Sequence, residues 1–177
     1  MKYAVISCSL NPASKSRVLA KAAADEFEKS GSVADFVDLS EIALPMCDGG
    51  AAYGDANVIA LKERLREVDG FVVGTPIYNF DANAAGKNMI EMMGRDVWTE
   101  KVVGFLCAAG GGSSYMSIMA MASSLMLDFR TVVVPRFVYA TGTDFGEDGV
   151  IQAEAVAERV SELTREVIRF AVGLRGG

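Results

Sequence analysis

The chain of 177 residues contains no histidine. That one absence removes histidine metal sites, the Ser-His-Asp triad and the Cys-His nucleophile pair together. Cysteine is scarce. Cys8, Cys47 and Cys107 are odd in number and show no C-x-x-C spacing, so they read as reduced thiols of a cytoplasmic protein. Basic residues are in deficit, with 17 Lys and Arg against 23 Asp and Glu and a formal net charge of −6. A nucleic-acid partner or an anionic membrane surface calls for the opposite balance. No apolar run approaches the roughly 18 residues of a membrane span. The N-terminal stretch offers only about six apolar residues before Ser7 and Ser9, too few for a signal-peptide core. The first strand-to-helix turn also lacks both G-x-G-x-x-G and G-x-x-x-x-G-K-[ST], the two common glycine-built phosphate turns.

What is present is a globular composition, 51% hydrophobic and 23% charged, in a length that suits one domain over residues 1–177. Strand-like and helix-like segments alternate. "KYAVISCS" reads as a strand, and Leu19, Ala23 and Phe27 fall on one face of a helix near 15–30. "SVADFVDL" follows the Gly31 stop, and Val58, Leu61, Leu65 and Val68 recur at helical spacing. "GFVVGTP" and "KVVGFLCAA" are unbroken apolar strands, separated by the helix "AAGKNMIEMMG". A helix over Ser113–Leu127, a fifth strand "RTVVVPRFVYA" and a long last helix carrying Val156, Val160, Leu163, Val167 and Phe170 complete the chain. Pro135 places that fifth strand at an edge or a bulge. The order βαβαβαβαβα predicts an α/β, flavodoxin-like three-layer sandwich. Its five-stranded parallel sheet takes the order 2-1-3-4-5, with helices on both faces.

In such a sheet, ligands sit beyond the carboxyl ends of the strands where the strand order reverses. Three loops converge there. "SLNPASKSR" brings hydroxyls and the Asn11 amide to a helix N-terminus, which attracts anions. Lys15 and Arg17 add positive charge, and hydroxyls in place of glycine point to a single phosphate. The alternative is that Ser14 or Ser16 caps the helix. "TPIYNFDANAAG" carries Tyr78 and Phe80 in a polar turn, either beside a planar ligand or as a plug over the sheet end. Gly110, Gly111 and Gly112 allow close approach of backbone. Together the three loops indicate a mononucleotide with a flat ring.

On "SLNPASKSRVLA", "TPIYNFDANAAGKNMIE" and "AAGGGSSY", the chain resembles the NADPH-dependent FMN reductase family of flavodoxin-like flavoproteins. The resemblance implies that Ser9, Asn11, Ser14 and Ser16 hold the FMN phosphate. Cys8, Asn11 and Ser16 replace the family's usual glycine, arginine and asparagine, and Arg17 is offered as the compensating charge. It also implies that Pro76, Tyr78 and Asn79 lie along the flavin ring and that Gly110, Gly111 and Gly112 form the family's glycine-rich loop; Ile77, Phe80 and Tyr115, in or beside the same loops, are further candidates for the cofactor site. A branch that supplies free reduced flavin to monooxygenases carries an extra tyrosine in the fourth helix. Met121 stands near that position here, which favours a protein that keeps its flavin.

The expected function is FMN-dependent transfer of hydride from NADPH or NADH to a quinone, flavin or similar small acceptor. No catalytic side chain and no metal are assigned. A one-electron carrier of flavodoxin type, a free-flavin reductase and a binding protein that has lost its flavin are the alternatives. Asp144, Glu147 and Asp148 lack EF-hand spacing and read as a solvated turn. The apolar excess on the third and fourth helices, with Trp98 as an aromatic anchor, predicts a homodimer or homotetramer with the active site at the subunit boundary.

Overall fold

A computed structural model describes residues 1–176. The sheet is built from β1 (Tyr3–Ser7), β2 (Ala34–Asp38), β3 (Gly70–Tyr78) and β5 (Val102–Ala108), with a short β4 (Asp81–Ala82), β6 (Val132–Val133) and β7 (Val138–Ala140). The parallel path runs β2-β1-β3-β5-β6. Every residue of β1 and β5 is buried, as is β3 up to Tyr78. Strands covered on both faces read as continuous apolar runs, which is why these three are legible.

Helices cover both faces. α1 (Lys15–Lys29) and α6 (Glu154–Arg175) bury Leu19, Ala23, Phe27, Val160, Leu163 and Val167 against one side. α2 (Ala56–Leu65), α3 (Ala84–Met93), the short α4 (Arg95–Trp98) and α5 (Met119–Phe129) cover the other. Between β1 and β2 the chain turns at Gly31, whose φ of +76° suits a residue without Cβ.

Two departures from the expected strands have local causes. The single fifth strand is two pieces, β6 and β7, both parallel to β5. Pro135 has no N–H for the ladder and Arg136 sits at φ 59°, so pairing lapses over the intervening residues and resumes at Val138. The additional β4 is a reversal of β3 onto itself, with Tyr78 opposite Asp81. The sheet therefore holds seven strands while keeping the 2-1-3-4-5 order of its main path.

The helix expected over Ser113–Leu127 is also divided. A 3₁₀ segment spans Gly112–Ile118, and α5 begins only at Met119. Met89, Ile90, Met92, Met93 and Trp98 are all buried inside the chain. The Trp98 ring lies 4.8 Å from that of Phe71, centroid to centroid. These residues were expected to face a second subunit. Instead α2 and the segment before it cover them, so Trp98 is a core residue and not an interface anchor.

Candidate functional site

The turn after β1 is braced by its own polar groups. Cys8 N donates to Gly74 O at 2.8 Å, extending the sheet by one residue. The buried Ser9 hydroxyl accepts from Asn11 N at 3.2 Å, and Asn11 Oδ1 accepts from Ala13 N at 3.0 Å. Ser14 occupies the N-cap of α1 with an extended backbone, yet its side chain makes no capping bond. Its Oγ lies 2.8 Å from Ser16 Oγ, in a buried pair. A capping role for Ser14 therefore fails, and the positive end of α1 is left for something other than its own N-cap side chain.

The two cations of this turn part company. Arg17 pairs with the buried Asp38 at the end of β2 and also donates to Ser40 Oγ at 2.8 Å and Pro12 O at 3.2 Å. Asp38 in turn accepts from Ser40 N and Ser40 Oγ. Arg17 thus ties α1 to the segment after β2. Lys15 turns the other way, 3.4 Å from the carbonyl oxygen of Gly142 and 5.5 Å from the Phe145 ring centroid.

The loops after β1 and β3 are joined by Asn83, a buried residue that sequence reasoning passed over. Its Nδ2 donates to Cys8 O at 2.7 Å and its Oδ1 accepts from Thr75 Oγ1 at 2.9 Å. Packing here is tight. A Cβ on Gly86 would meet Asn83 Oδ1 at 3.0 Å and Cys8 Sγ at 3.3 Å. Burial pushes the Cys8 thiol up to about 12, so it stays neutral at physiological pH.

Beyond this tie the chain reverses through Asn79 and Phe80, at φ 51° and 62°. Two consecutive left-handed residues mark a tight hairpin that prefers Asn-Gly. Phenylalanine in the second place is conformationally costly. Phe80 is 67% exposed and Tyr78 55% exposed, so neither acts as a plug over the sheet end.

The glycine loop follows β5. A Cβ on Gly110, Gly111 or Gly112 would meet nothing within 4 Å, so this stretch is open on the protein side. Its position is held from outside. Tyr139 on β7 donates to Gly111 O and lies 2.7 Å from Ser114 Oγ. Tyr115 stacks on Phe137 at 4.7 Å and meets Tyr139 edge-on at 5.5 Å. The periodicity of a strand, with Phe137 and Tyr139 two residues apart, was the signal available for this aromatic group.

The three loops border an open cleft of about 810 Å³, within the range that holds a mononucleotide. Asn11, Ser14, Pro76, Ile77, Tyr78, Asn79 and Gly110 line it, together with Ala13, Lys15, Ala108, Ala109 and Gly142. Ser9 and Ser16 are buried within the turn behind it, and Arg17 faces Asp38. Phe80, Gly111, Gly112 and Tyr115 belong to the same loops without lining the cavity. Among the described residues, Lys15 is the one charged side chain on its wall. Two other cavities, of about 400 and about 380 Å³, lie beside Asp69, Glu100 and Arg175 and beside Glu41, Asn57 and Arg64. No group of histidine, cysteine or carboxylate side chains suited to a metal ion occurs among the described residues.

A parallel sheet with a hydroxyl turn, an aromatic hairpin and a glycine loop at one edge is a flavodoxin-like mononucleotide protein. The model of the NADPH-dependent FMN reductase family matches residues 1–146, and the chain belongs to that family. It is 29% identical over 143 residues to the NAD(P)H-dependent FAD/FMN reductase of Geobacillus thermodenitrificans (strain NG80-2), covering 80% of this chain and 77% of that one. It is 25% identical over 186 residues to the NADPH:quinone oxidoreductase of Arabidopsis thaliana, covering 99% and 94%. Among solved structures, FerB of Paracoccus denitrificans, a flavoenzyme NAD(P)H:(acceptor) oxidoreductase, shares the fold with a TM-score of 0.78 at 21% identity, covering 97% of each chain.

The residues present fit FMN. The uncapped start of α1 and the Ser14 hydroxyl suit a phosphate, and the uncharged wall from Pro76 to Asn79 suits a flat, hydrogen-bonding ring.

Proposed function

We propose that this protein is an FMN-dependent NAD(P)H oxidoreductase that passes reducing equivalents to a quinone, flavin or similar small acceptor. One flavin-binding domain over residues 1–177 does this work. The observation that carries the reading is the convergence on one cavity of Ser14 at an uncapped helix start, the Pro76–Asn79 wall and Gly110. Family membership and the named activities of the relatives support it. FMN, when bound, supplies the hydride chemistry.

The chain's own part is to bind and to position. Ser9 and Asn11 shape the turn, Ser14 presents its hydroxyl to the phosphate with Ser16 bonded behind it, and Arg17 fixes the turn from behind. Pro76, Ile77, Tyr78 and Asn79 flank the ring, with backbone N–H groups for its heteroatoms. Phe80 and Tyr115 offer exposed aromatic surface for the nicotinamide or the acceptor, and the Gly110–Gly112 stretch leaves room for either. Hydride transfer to the ring needs no protein acid or base, so a chain without histidine suffices.

The same reading includes a retained flavin, a two-fold dimer and a cytoplasmic location. Met116, Met119, Met126 and Leu127 remain exposed on the segment that follows the glycine loop, and a second copy is the commonest cover for such a face. Three unpaired thiols suit a reducing compartment. No described helix is long and apolar enough to cross a membrane.

The deciding experiment mixes protein, FMN, a quinone and either NADPH or NADH without oxygen. Oxidation of one nucleotide well above the uncatalysed rate is expected. No acceleration with either nucleotide, by a protein that binds FMN, would leave the electron-carrier alternative standing in its place.

A further inference from the structure

We infer that Lys15, and not Arg17, is the cation that neutralises the FMN phosphate, and that the turn at Gly142 forms the opposite wall of that subsite. The inference rests on the flavin reading above and concerns only how the phosphate is held. A phosphate monoester carries nearly two charges at neutral pH and demands a positive partner where water is partly excluded. Arg17 is committed elsewhere. It sits against Asp38, whose carboxylate is almost fully buried, and it donates further to Ser40 and Pro12. Withdrawing Arg17 to a ligand would strand the buried Asp38 charge, at a cost larger than a phosphate contact returns.

Lys15 is free to serve. Its ammonium holds one long hydrogen bond, 3.4 Å to Gly142 O, and lies over the Phe145 ring at 5.5 Å. An ammonium has three donors, so two remain. No carboxylate shares the cavity wall with it. Asp144 on the facing turn accepts at Oδ2 from Thr141 N and from Thr141 Oγ1 at 3.0 Å, which makes it part of that turn's own capping box.

Gly142 shows the same contact from the facing turn. A Cβ built there would stand 3.2 Å from Lys15 Nζ, so the ammonium lies close against the glycine. The turn is fixed in place by the sheet, since Ala109 N donates to Ala140 O at 2.9 Å just before it. Lys15 and Gly142 lie 127 residues apart in sequence. The phosphate subsite is thus bounded by the start of α1 on one side and by the turn after β7 on the other.

The test compares FMN with riboflavin, which lacks the phosphate. Each is titrated into flavin-free protein and followed by quenching of flavin fluorescence. Lys15→Gln is expected to weaken FMN at least tenfold while riboflavin changes less than twofold. Lys15→Arg should keep most of the FMN affinity. Gly142→Ala, which crowds only the flexible end of Lys15, should weaken FMN less than Lys15→Gln does, again sparing riboflavin. Arg17→Gln should lower the melting temperature but leave the FMN-to-riboflavin ratio within twofold of the parent. Equal loss of both flavins in Lys15→Gln, or collapse of the ratio in Arg17→Gln alone, overturns the assignment. A parent protein that binds neither flavin would instead remove the flavin reading on which it stands.

Discussion

The phenol of Tyr139 donates to the carbonyl oxygen of Gly111, joining a strand to a glycine loop 28 residues earlier. The same hydroxyl meets Ser114, and the ring carries Tyr115 on its edge. Tyr139 therefore holds the loop that bounds the cavity without lining the cavity itself. Tyr139→Phe keeps the ring contacts and removes both hydrogen bonds. At about 1 kcal/mol for the lost bonding, the melting temperature should fall by about 2–4 °C for a chain of this size. The Michaelis constant for the acceptor should rise while flavin affinity changes little, read by steady-state kinetics and flavin titration.

Ser14 and Ser16 share one hydrogen bond, and Ser14 is the member on the cavity wall. Ser14→Ala should weaken FMN about tenfold, the equivalent of one good hydrogen bond to a charged group. Riboflavin should scarcely respond. Ser16→Ala should cost less, because Ser16 reaches the site only through Ser14. Equal losses for both flavins would show that the turn does not hold the phosphate.

Asp38 is 5% exposed and faces Arg17. Removing the carboxylate leaves a mostly buried guanidinium without its partner, so Asp38→Ala should destabilise by about 3 kcal/mol. Urea unfolding of that variant should show a lower midpoint with an unchanged slope. Pairing it with Arg17→Met should recover part of the loss.

Burial pushes the thiols of Cys8, to about 12, and of Cys107 above the ordinary value, and both side chains are shielded. Cys47 is half-buried, its sulfur 3.3 Å from Tyr53 Oη. A thiol reagent at pH 8 should modify one cysteine per native chain and three per unfolded chain. Stability should be insensitive to these thiols below pH 9, the ordinary value for Cys8. It should decline above that, where the unfolded chain loses the proton that the native chain retains.

Leu127 is 85% exposed, beside Met126 on the uncovered side of α5. If that side meets a second copy, the parent sediments as a dimer at low micromolar concentration. Leu127→Glu with Met126→Glu then shifts it to a monomer while leaving its melting profile cooperative. A monomeric parent with full activity would remove the dimer.

Much of this was readable from residue order because the buried strands β1, β3 and β5 are continuous apolar runs and α1 and α6 keep a strict apolar stripe. The three loops at the sheet edge were legible by composition: Ser14, Tyr78 and Gly110 all reach the cavity. Side-chain direction was not legible. Lys15 and Arg17 are neighbours on one helical turn, and only tertiary contacts with Gly142 and Asp38 separate them. The apolar excess of α3 misled for a related reason. Periodicity reports how much of a helix is covered, not whether another chain or the same chain covers it. Asn83 carried no pattern at all, since one buried amide bridging two loops has no repeat to betray it.

The division of the fifth strand at Pro135 has a consequence for how the protein behaves when crowded. The outer strand on that side is two short pieces, β6 of two residues and β7 of three, parted by Pro135 and Arg136. An edge so broken offers an incoming chain no long row of free N–H and C=O groups to zip onto. At the opposite border β2 carries Asp35 and Asp38, with Arg64 clasping Asp35. Charges and an interruption thus guard the two margins. A molecule that is half hydrophobic by composition is thereby shielded against fibrous self-association through its sheet.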